Sequence, residues 1–201
     1  MVEGETLPVN NGYSKDMLKM LGITPELHEK METVAQKFPE YSDFFSARFM
    51  ASHFDQNQMK VLVGLGKSKG MVDVDYANNT GDNLVEIRRS LGKLFDEGMV
   101  NVTRKNKGGW FTHYWFKDEN GIRYNIQKEK QIIEEKLEKD YQRLQGTFYQ
   151  CRGCSSTYRF EDIAQRDRCG CGSPDFVQIE QHPQKQLVAD TLKTFFGVVI
   201  Q

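Results

Sequence analysis

The chain has 201 residues, enough for one domain or two small ones, and its 27 basic residues nearly balance its 28 acidic ones. A formal net charge of −1 argues against a protein that coats nucleic acid or a membrane by bulk electrostatics, although it leaves room for a local basic patch. Hydrophobic residues make up only 38% of the chain, which favours small modules joined by a solvated segment. The acidic start, residues 1–5, has no apolar stretch, so we expect no signal peptide and a cytoplasmic protein.

The first part of the chain is helical in pattern, in separate pieces. The two clearest stretches are residues 14–21 and 25–38, and acidic side chains outnumber basic ones around them. We therefore predict a helical N-terminal extension over residues 1–53.

The next region predicts a group of helices. A short amphipathic helix is expected over residues 57–67, followed by a brief segment at 71–77 and a turn-rich stretch at 78–83. A stronger helix is predicted over 83–97, and Gly98 ends it. The apolar residues of this helix keep the spacing of one buried face: Leu84, Ile87, Leu91, Leu94 and Phe95. Its outward face is predicted to carry Glu86, Arg89, Ser90 and Lys93.

After Gly98 the apolar pattern changes to a period of two. It predicts a strand over 99–104, a turn over 105–109 and a second strand over 110–116. Helices followed by such a hairpin are typical of a winged helix-turn-helix, which we predict over residues 54–126. The pattern alone leaves open an unrelated α+β fragment.

The charge of this region argues against a helix that reads DNA sequence. A recognition helix places its N-terminal end in the major groove, but here that end carries Asp82 and Glu86. Residues 83–117 hold seven basic side chains and three acidic ones, a local charge of +4 (7 − 3) that leans toward the hairpin. Aromatic side chains beside a basic turn suit stacking on unpaired bases or docking on a protein groove. The competing interpretation is that these aromatic side chains simply alternate between the core and the surface, as in any hairpin.

A charge-rich but balanced segment predicts a connecting helix over residues 127–146. An apolar stripe at helical spacing runs along it. At about 1.5 Å per residue the helix is long enough to hold two modules apart while its stripe lies on the winged helix. A coiled-coil dimer is the competing interpretation, although the segment holds barely three heptads. The stripe consists of Ile126, Ile133, Leu137, Tyr141 and Leu144.

All four cysteines fall in one short segment, as Cys151-Arg152-Gly153-Cys154 and Cys169-Gly170-Cys171-Gly172. Two close pairs separated by such a gap have the spacing of a four-thiolate zinc site. About thirty residues cannot bury enough apolar surface to fold alone, so a metal ion or disulfides are usually required. We predict a zinc ribbon over residues 147–181. Its structural Zn²⁺ is expected to bind Cys151, Cys154, Cys169 and Cys171.

Three other interpretations of the cysteines stay open. A disulfide pair is disfavoured in a chain without a secretory signal, and a redox-active Cys-x-x-Cys would need a βαβ unit. The third is a decayed site, because the second pair is Cys-x-Cys, one residue shorter than usual. A loop that short can lose a backbone N–H that normally faces the sulfur. His182 is the substitute ligand if Cys171 does not reach the metal.

The last segment, residues 182–201, is predicted as a helical tail. Its apolar stripe is expected to cover the protein's own core rather than a partner. The apolar run at 195–200 is far too short to span a bilayer. The stripe consists of Val188, Leu192, Phe195, Phe196 and Val199. All the elements together predict an α+β fold with a winged helix-turn-helix, a charged connecting helix and a small C-terminal zinc ribbon.

Two motifs and their order point to a known family. The more specific is the first cysteine pair followed by Ser155-Ser156-Thr157-Tyr158 and an acidic stretch. The second is the wing, Gly109-Trp110-Phe111-Thr112-His113-Tyr114-Trp115. With the charged helix between them, these parts resemble the archaeal transcription factor E family, the counterpart of the alpha subunit of eukaryotic general transcription factor E. The resemblance covers roughly residues 55–180. It departs at the second cysteine pair, where the family has Cys-Pro-x-Cys-Gly, and at the N-terminal extension.

The resemblance implies a non-enzymatic basal initiation factor in the cytoplasm, associated with the nucleoid. Such factors bind the clamp and stalk of RNA polymerase near the promoter-bound TATA-binding protein and factor B. They stabilise the melted promoter DNA, with the wing near the non-template strand. The residues that this implies for polymerase or nucleic-acid contact are Arg104, Lys105, Lys107, Trp110 and Phe111.

Other functions compete with this one. A homodimeric winged-helix DNA-binding regulator with a structural zinc ribbon would need a base-reading helix and a dimer seam. A protein-interaction adaptor would make no nucleic-acid contact. An enzyme is disfavoured, because the sequence has no carboxylate dyad, nucleophile elbow or phosphate-binding glycine loop. A four-thiolate metal also has no open position for water.

Overall fold

The computed structural model describes residues 7–65 and 70–198, with only the backbone of Lys107 described. It mixes helices with two small antiparallel sheets, which confirms the predicted α+β class. Among the described residues, no helix is long and apolar enough to cross a membrane. The helices are α1 (Lys15–Met20), α2 (Pro25–Lys37), α3 (Phe44–His53), α4 (Gln56–Gly64), α5 (Asp73–Thr80), α6 (Leu84–Asp96), α7 (Glu119–Arg143), α8 (Phe160–Ile163) and α9 (Lys185–Phe196). The strands are β1 (Val100–Lys107), β2 (Trp110–Lys117), β3 (Phe148–Cys151), β4 (Thr157–Arg159) and β5 (Phe176–Ile179).

The chain divides into two compact units. Of the described residues, those within 7–12 and 23–131 form the first unit, and those within 13–22 and 132–198 form the second. Helices α2 and α3 therefore share a unit with the winged-helix elements, whereas α1 shares one with the cysteines. The finer domain boundaries expected from the sequence stay a prediction.

Side chains define where the helices of the first unit begin. The Thr24 hydroxyl accepts the N–H of Leu27 at the start of α2, whose first residue is Pro25. At α4, the Asp55 carboxylate accepts the N–H of Gln58 while the Gln58 amide oxygen accepts the N–H of Asp55. This reciprocal pair satisfies two backbone donors that the helix leaves open.

The brief segment at 71–77, to which the sequence assigns no defined element, is mostly helical, and the helix continues into the predicted turn-rich stretch as far as Thr80. Residues from Asp73 onward form α5, in which Tyr76 is buried and its hydroxyl donates to the carbonyl of Lys60. The turn begins only at Gly81, whose φ of +75° ends the helix. Before the helix, Met71 pairs with Trp115 in a single antiparallel bridge beside the hairpin.

The strong amphipathic helix is confirmed as α6, with Ile87, Leu91 and Leu94 buried. Two details differ from the prediction. Ser90, expected outside, is buried, because it lies on the side of α6 that faces Lys60 and Val61 of α4. Phe95, expected inside, is 47% exposed and contacts the Trp115 ring edge-on at 6.3 Å between centroids.

The predicted hairpin is confirmed, with longer strands and a shorter turn. The register runs from Val100 opposite Lys117 to Lys107 opposite Trp110. Only Gly108 and Gly109 form the turn, rather than residues 105–109, and their φ angles are +61° and +85°. Two glycines at positive φ allow the tight turn whose twist matches the twist of the strands.

Helix α7 begins at Glu119, earlier than the predicted start at residue 127. Asp118 caps it by accepting the N–H of Gly121 at 3.0 Å. The Asn125 side chain donates to the carbonyl of Glu97, near the C-terminal end of α6, at 2.9 Å. This first part of α7 is therefore held directly against the winged helix.

The second unit has a helical core and a small sheet. Helix α1 packs on α9, with the Tyr13 and Phe195 rings 4.5 Å apart. In the sheet, β3 is central and antiparallel to both β4 and β5. The predicted stripes are buried at Ile133, Leu137 and Tyr141 of α7, and at Val188, Leu192 and Phe195 of α9. Val199 lies outside the described residues.

Candidate metal centre and exposed wing

The four cysteine side chains meet at one end of the β4–β3–β5 sheet. Cys151 ends β3, and the other three lie in the loops that follow β3 and precede β5. All four sulfur atoms lie within 4.8 Å of one another, with Cys151 3.6 Å from Cys171 and Cys154 3.4 Å from Cys169. Four sulfurs around one metal ion at about 2.3 Å would be separated by about 3.8 Å. The cluster can therefore hold a metal ion.

Each sulfur faces a backbone N–H from two residues further along the chain. The donors are Gly153 for Cys151, Ser156 for Cys154, Cys171 for Cys169 and Ser173 for Cys171. The expected loss of a donor at the shortened Cys-x-Cys pair does not occur. Cys171 fills both roles, because its N–H faces Cys169 while its own sulfur joins the cluster. Hydrogen bonds of this kind stabilise the thiolate form that binds metal.

Both loops turn immediately after their second cysteine, through a residue with positive φ. Gly172 does so at +89° and Ser155 at +60°. Glycine adopts this backbone at little cost, whereas serine is strained there. The two cysteine loops lie close together. A Cβ added at Gly153 of the first loop would lie only 3.2 Å from the Cys171 sulfur of the second.

The thiols have unequal proton affinities. The N–H of Cys171 and then the hydroxyl of Tyr158 lower the pKa of Cys169 to about 6. The N–H of Ser173 lowers the pKa of Cys171, but the three neighbouring thiols outweigh it and raise that pKa to about 12. Crowding of thiolates opposes loss of the last protons, and a cation among the sulfurs would remove that repulsion.

The geometry favours neither a disulfide nor His182 as a substitute ligand. All four are free thiols, so neither pair is a disulfide. His182 lies apart from the cluster, with its ring edge-on to Phe148 at 4.8 Å and its Nδ1 accepting the N–H of Gln184. Cys171 reaches the cluster without it.

Substituting Gly153 tests how closely the two loops must approach. Gly153→Ala is expected to weaken metal binding about tenfold, since the added methyl would crowd the Cys171 sulfur and the Ser173 Cβ, which is 3.0 Å away. Competition with a chromophoric chelator measures the effect. Gly170→Ala is the matched control, because its methyl would meet nothing within 4 Å. Equal affinities of the two variants would contradict the argument.

The wing carries a cation over an aromatic ring on each face. The Arg104 guanidinium lies 3.4 Å from the centre of the Phe111 ring, and the Lys105 ammonium lies 4.9 Å from that of Tyr114. Arg104 and Phe111 share one face of the hairpin, whereas Lys105 and Tyr114 share the other. Such pairs hold long cationic side chains near the rings.

At the tip, Trp110 is 82% exposed and Phe111 is 53% exposed. Large aromatic side chains this exposed are typical of binding surfaces rather than of packing. The wing residues predicted for contact are therefore together at one end of the hairpin, with Lys107 described for its backbone alone. Their role in contact stays a prediction.

The structure adds partners that the sequence pattern does not identify. The Tyr158 hydroxyl lies 3.1 Å from the Cys169 sulfur and the Ser156 hydroxyl lies 3.2 Å from that of Cys154. Ser156 follows Cys154 by two residues, so its position could be found from the spacing of the N–H donors. Tyr158 reaches the second cysteine pair across the fold, and no local spacing indicates that.

Comparison with known proteins gives one consistent family. Residues 47–145 match the family model of the TFIIE alpha subunit. The chain is 30% identical to transcription factor E of Saccharolobus islandicus strain Y.N.15.51 over 115 residues, which are 54% of this chain and 65% of that protein. It is 31% identical to transcription factor E of Methanospirillum hungatei over 93 residues, 45% of this chain and 54% of that protein. The chain thus spans between about half and just under two thirds of these relatives.

A solved structure, described as a possible transcriptional regulator from Methanosarcina mazei Go1, aligns with 65% of this chain and 88% of its own, at 15% identity and a TM-score of 0.35. A TM-score of 0.35 does not establish a shared fold. The four cysteines lie beyond residues 47–145, so the metal centre is supported by its own geometry. The resemblance to transcription factor E is nevertheless confirmed by sequence, since residues 47–145 match the TFIIE alpha family model and the similar proteins are transcription factors E.

Proposed function

We propose that the protein is a basal transcription initiation factor that binds RNA polymerase at the promoter and stabilises the melted DNA of the open complex. The observation that carries the proposal is an exposed aromatic and cationic wing within the segment that matches the TFIIE alpha family model. That family consists of transcription factors rather than enzymes, which supports a role without catalysis.

The wing has the chemistry to bind unpaired DNA. Base stacking on an aromatic ring contributes about 1–3 kcal/mol per base and tolerates any sequence. Trp110 offers such a ring at the tip, and the exposed cations Arg104 and Lys105 lie close behind it. A melted promoter exposes bases and phosphates together, so the wing fits the non-template strand better than it fits a duplex.

The proposed mechanism is a shift of an equilibrium. A factor that binds one state of polymerase and promoter more tightly shifts the balance toward that state by its difference in affinity. A coupling of about 1–3 kcal/mol changes occupancy about 5–150-fold. A few wing contacts made only in the open complex would suffice. The proposed partners are the polymerase clamp and stalk, the TATA-binding protein and factor B, as the resemblance implies.

We also propose that the metal ion is Zn²⁺ and that its role is structural. Four thiolates with tetrahedral spacing favour zinc, and the ion would complete a small fold that lacks an apolar core. Cys151, Cys154, Cys169 and Cys171 would hold it, with no position left for a catalytic water. Its contribution is therefore to the shape of the ribbon.

Trp110→Ala tests the proposed function. We expect the substitution to reduce permanganate reactivity of promoter thymines in the melted bubble about tenfold, because one stacking contact is lost. The fold should be unchanged, since the side chain is 82% exposed. Tyr124→Ala is the matched control, an aromatic side chain 66% exposed on α7 and outside the wing. Unchanged bubble reactivity with Trp110→Ala would refute the role of the wing.

The alternative, a homodimeric winged-helix DNA-binding regulator, is less well supported by the surface of α6. Its N-terminal end carries Asp82 and Glu86, both exposed, and Val85 between them is 64% exposed. Acidic and apolar side chains there oppose entry into the major groove. Selection of a consensus duplex by the purified protein, seen by gel shift, would favour this alternative.

A further inference from the structure

We infer that Tyr158 is a positioning residue of the metal centre, whose hydroxyl donates to the Cys169 thiolate and thereby sets the affinity and the electronic state of the bound metal. The inference rests on the metal site proposed above and goes beyond it. It assigns the role to a side chain outside the cysteine set.

The geometry of Tyr158 is fixed from two sides. It is the middle residue of β4 and pairs with Tyr149 of β3, which sets the direction of its side chain. Its ring packs edge-on against the Phe176 ring of β5 at 5.8 Å and an interplanar angle of 88°. A ring held in this way brings its hydroxyl to 3.1 Å from the Cys169 sulfur.

Cys169 is the sulfur that needs a second donor. Four thiolates around a divalent cation leave a net charge of −2, which must be solvated or hydrogen-bonded. Cys154 and Cys171 are exposed, so water can reach their sulfurs, whereas Cys151 and Cys169 are buried. Cys151 ends β3, the central strand of the sheet, but Cys169 lies in a loop. The Tyr158 hydroxyl both neutralises part of the Cys169 charge and ties that loop to the sheet.

Such outer contacts have measurable consequences. Loss of a hydrogen bond to a metal ligand typically costs 10–100-fold in affinity. It also raises the energy of the sulfur lone pairs, because a donor no longer withdraws charge from them. In a Co²⁺-substituted site, the sulfur-to-cobalt charge-transfer bands would then move to longer wavelength. A purely structural role of the tyrosine ring would not shift these bands.

The experiment compares Tyr158→Phe with Tyr149→Phe in the full chain. Both variants keep the ring, and Tyr149 lies on the same sheet without a sulfur contact among the described residues. Zn²⁺ affinity is measured by competition with a chelator, and the charge-transfer spectrum is measured with Co²⁺ alone. We expect Tyr158→Phe to bind Zn²⁺ about tenfold more weakly and to shift the Co²⁺ bands to longer wavelength, while Tyr149→Phe matches the wild type.

The outcomes separate this inference from the proposed metal site. If the wild type binds one metal ion per chain and Tyr158→Phe equals it in affinity and spectrum, the inference is wrong and the metal site stands. Equal weakening in both variants would also overturn it, since the effect would then be a general one of the sheet. A wild type that binds no metal would remove the metal site and the role of Tyr158 together.

Discussion

Chelation of the metal ion is expected to unfold residues 148–179 while helix α9 and the winged helix stay folded. Within the ribbon, only Phe148, Cys151 and Cys169 are buried, so its strands have almost no apolar core. Metal binding contributes about 10 kcal/mol to the folding of small four-ligand sites, far more than three side chains supply. Amide hydrogen exchange should therefore become fast across the ribbon.

The same experiment contains its own reference signals. Helix α9 has buried contacts with α1, and its amides should keep their protection. Both tryptophans of the chain, Trp110 and Trp115, lie in β2 of the first unit, so their fluorescence reports the winged helix alone and should not change. Cys169→Ser should mimic chelation, whereas His182→Gln should retain one metal ion per chain. Full protection of the ribbon without metal would show that the strands fold unaided.

The parts of the fold that have a strong local sequence pattern, helix α6 and the β1–β2 hairpin, could be predicted. Helix α6 has an uninterrupted apolar face, and the hairpin has two glycines at its turn, so periodicity alone locates both. Helix α5 was missed because Asn78 and Asn79 favour turns. The structure keeps them helical because Tyr76, one turn earlier, is buried and bonded to α4. Tertiary burial overrides a weak local preference there.

The candidate site also has residues that the sequence could predict and residues that it could not. Two close cysteine pairs can be recognised from spacing, so all four members of the cluster are predictable. The Ser173 N–H that faces the Cys171 sulfur could not be predicted, because its direction depends on the turn at Gly172, which has a φ of +89°. Tyr158 could not be predicted either, since its contact with Cys169 depends on sheet pairing between β3 and β4. Long-range pairing of this kind leaves no periodic signal.

Gly121→Ala is expected to destabilise the first unit by about 3 kcal/mol. Gly121 lies in the first turn of α7, where a Cβ would fall far inside van der Waals contact with the carbonyl oxygen of Gly98. Gly98 has a φ of +68° and joins α6 to β1, so neither backbone can move without disturbing the other. Overpacking against a fixed backbone typically costs 1–3 kcal/mol or more.

Urea unfolding followed by tryptophan fluorescence measures this effect, because both tryptophans report the first unit. Gly92→Ala is the matched control, since Gly92 lies inside α6 and a methyl there would meet nothing within 4 Å. Alanine is the better helix former, so this variant should be more stable than the wild type by about 0.5–1 kcal/mol. If Gly121→Ala lowers the free energy of unfolding while Gly92→Ala raises it, then contact with Gly98, rather than helix propensity, explains why glycine occupies position 121. A stable Gly121→Ala variant would mean that α7 can move away from the winged helix, and the close junction of α6, β1 and α7 would then be wrong.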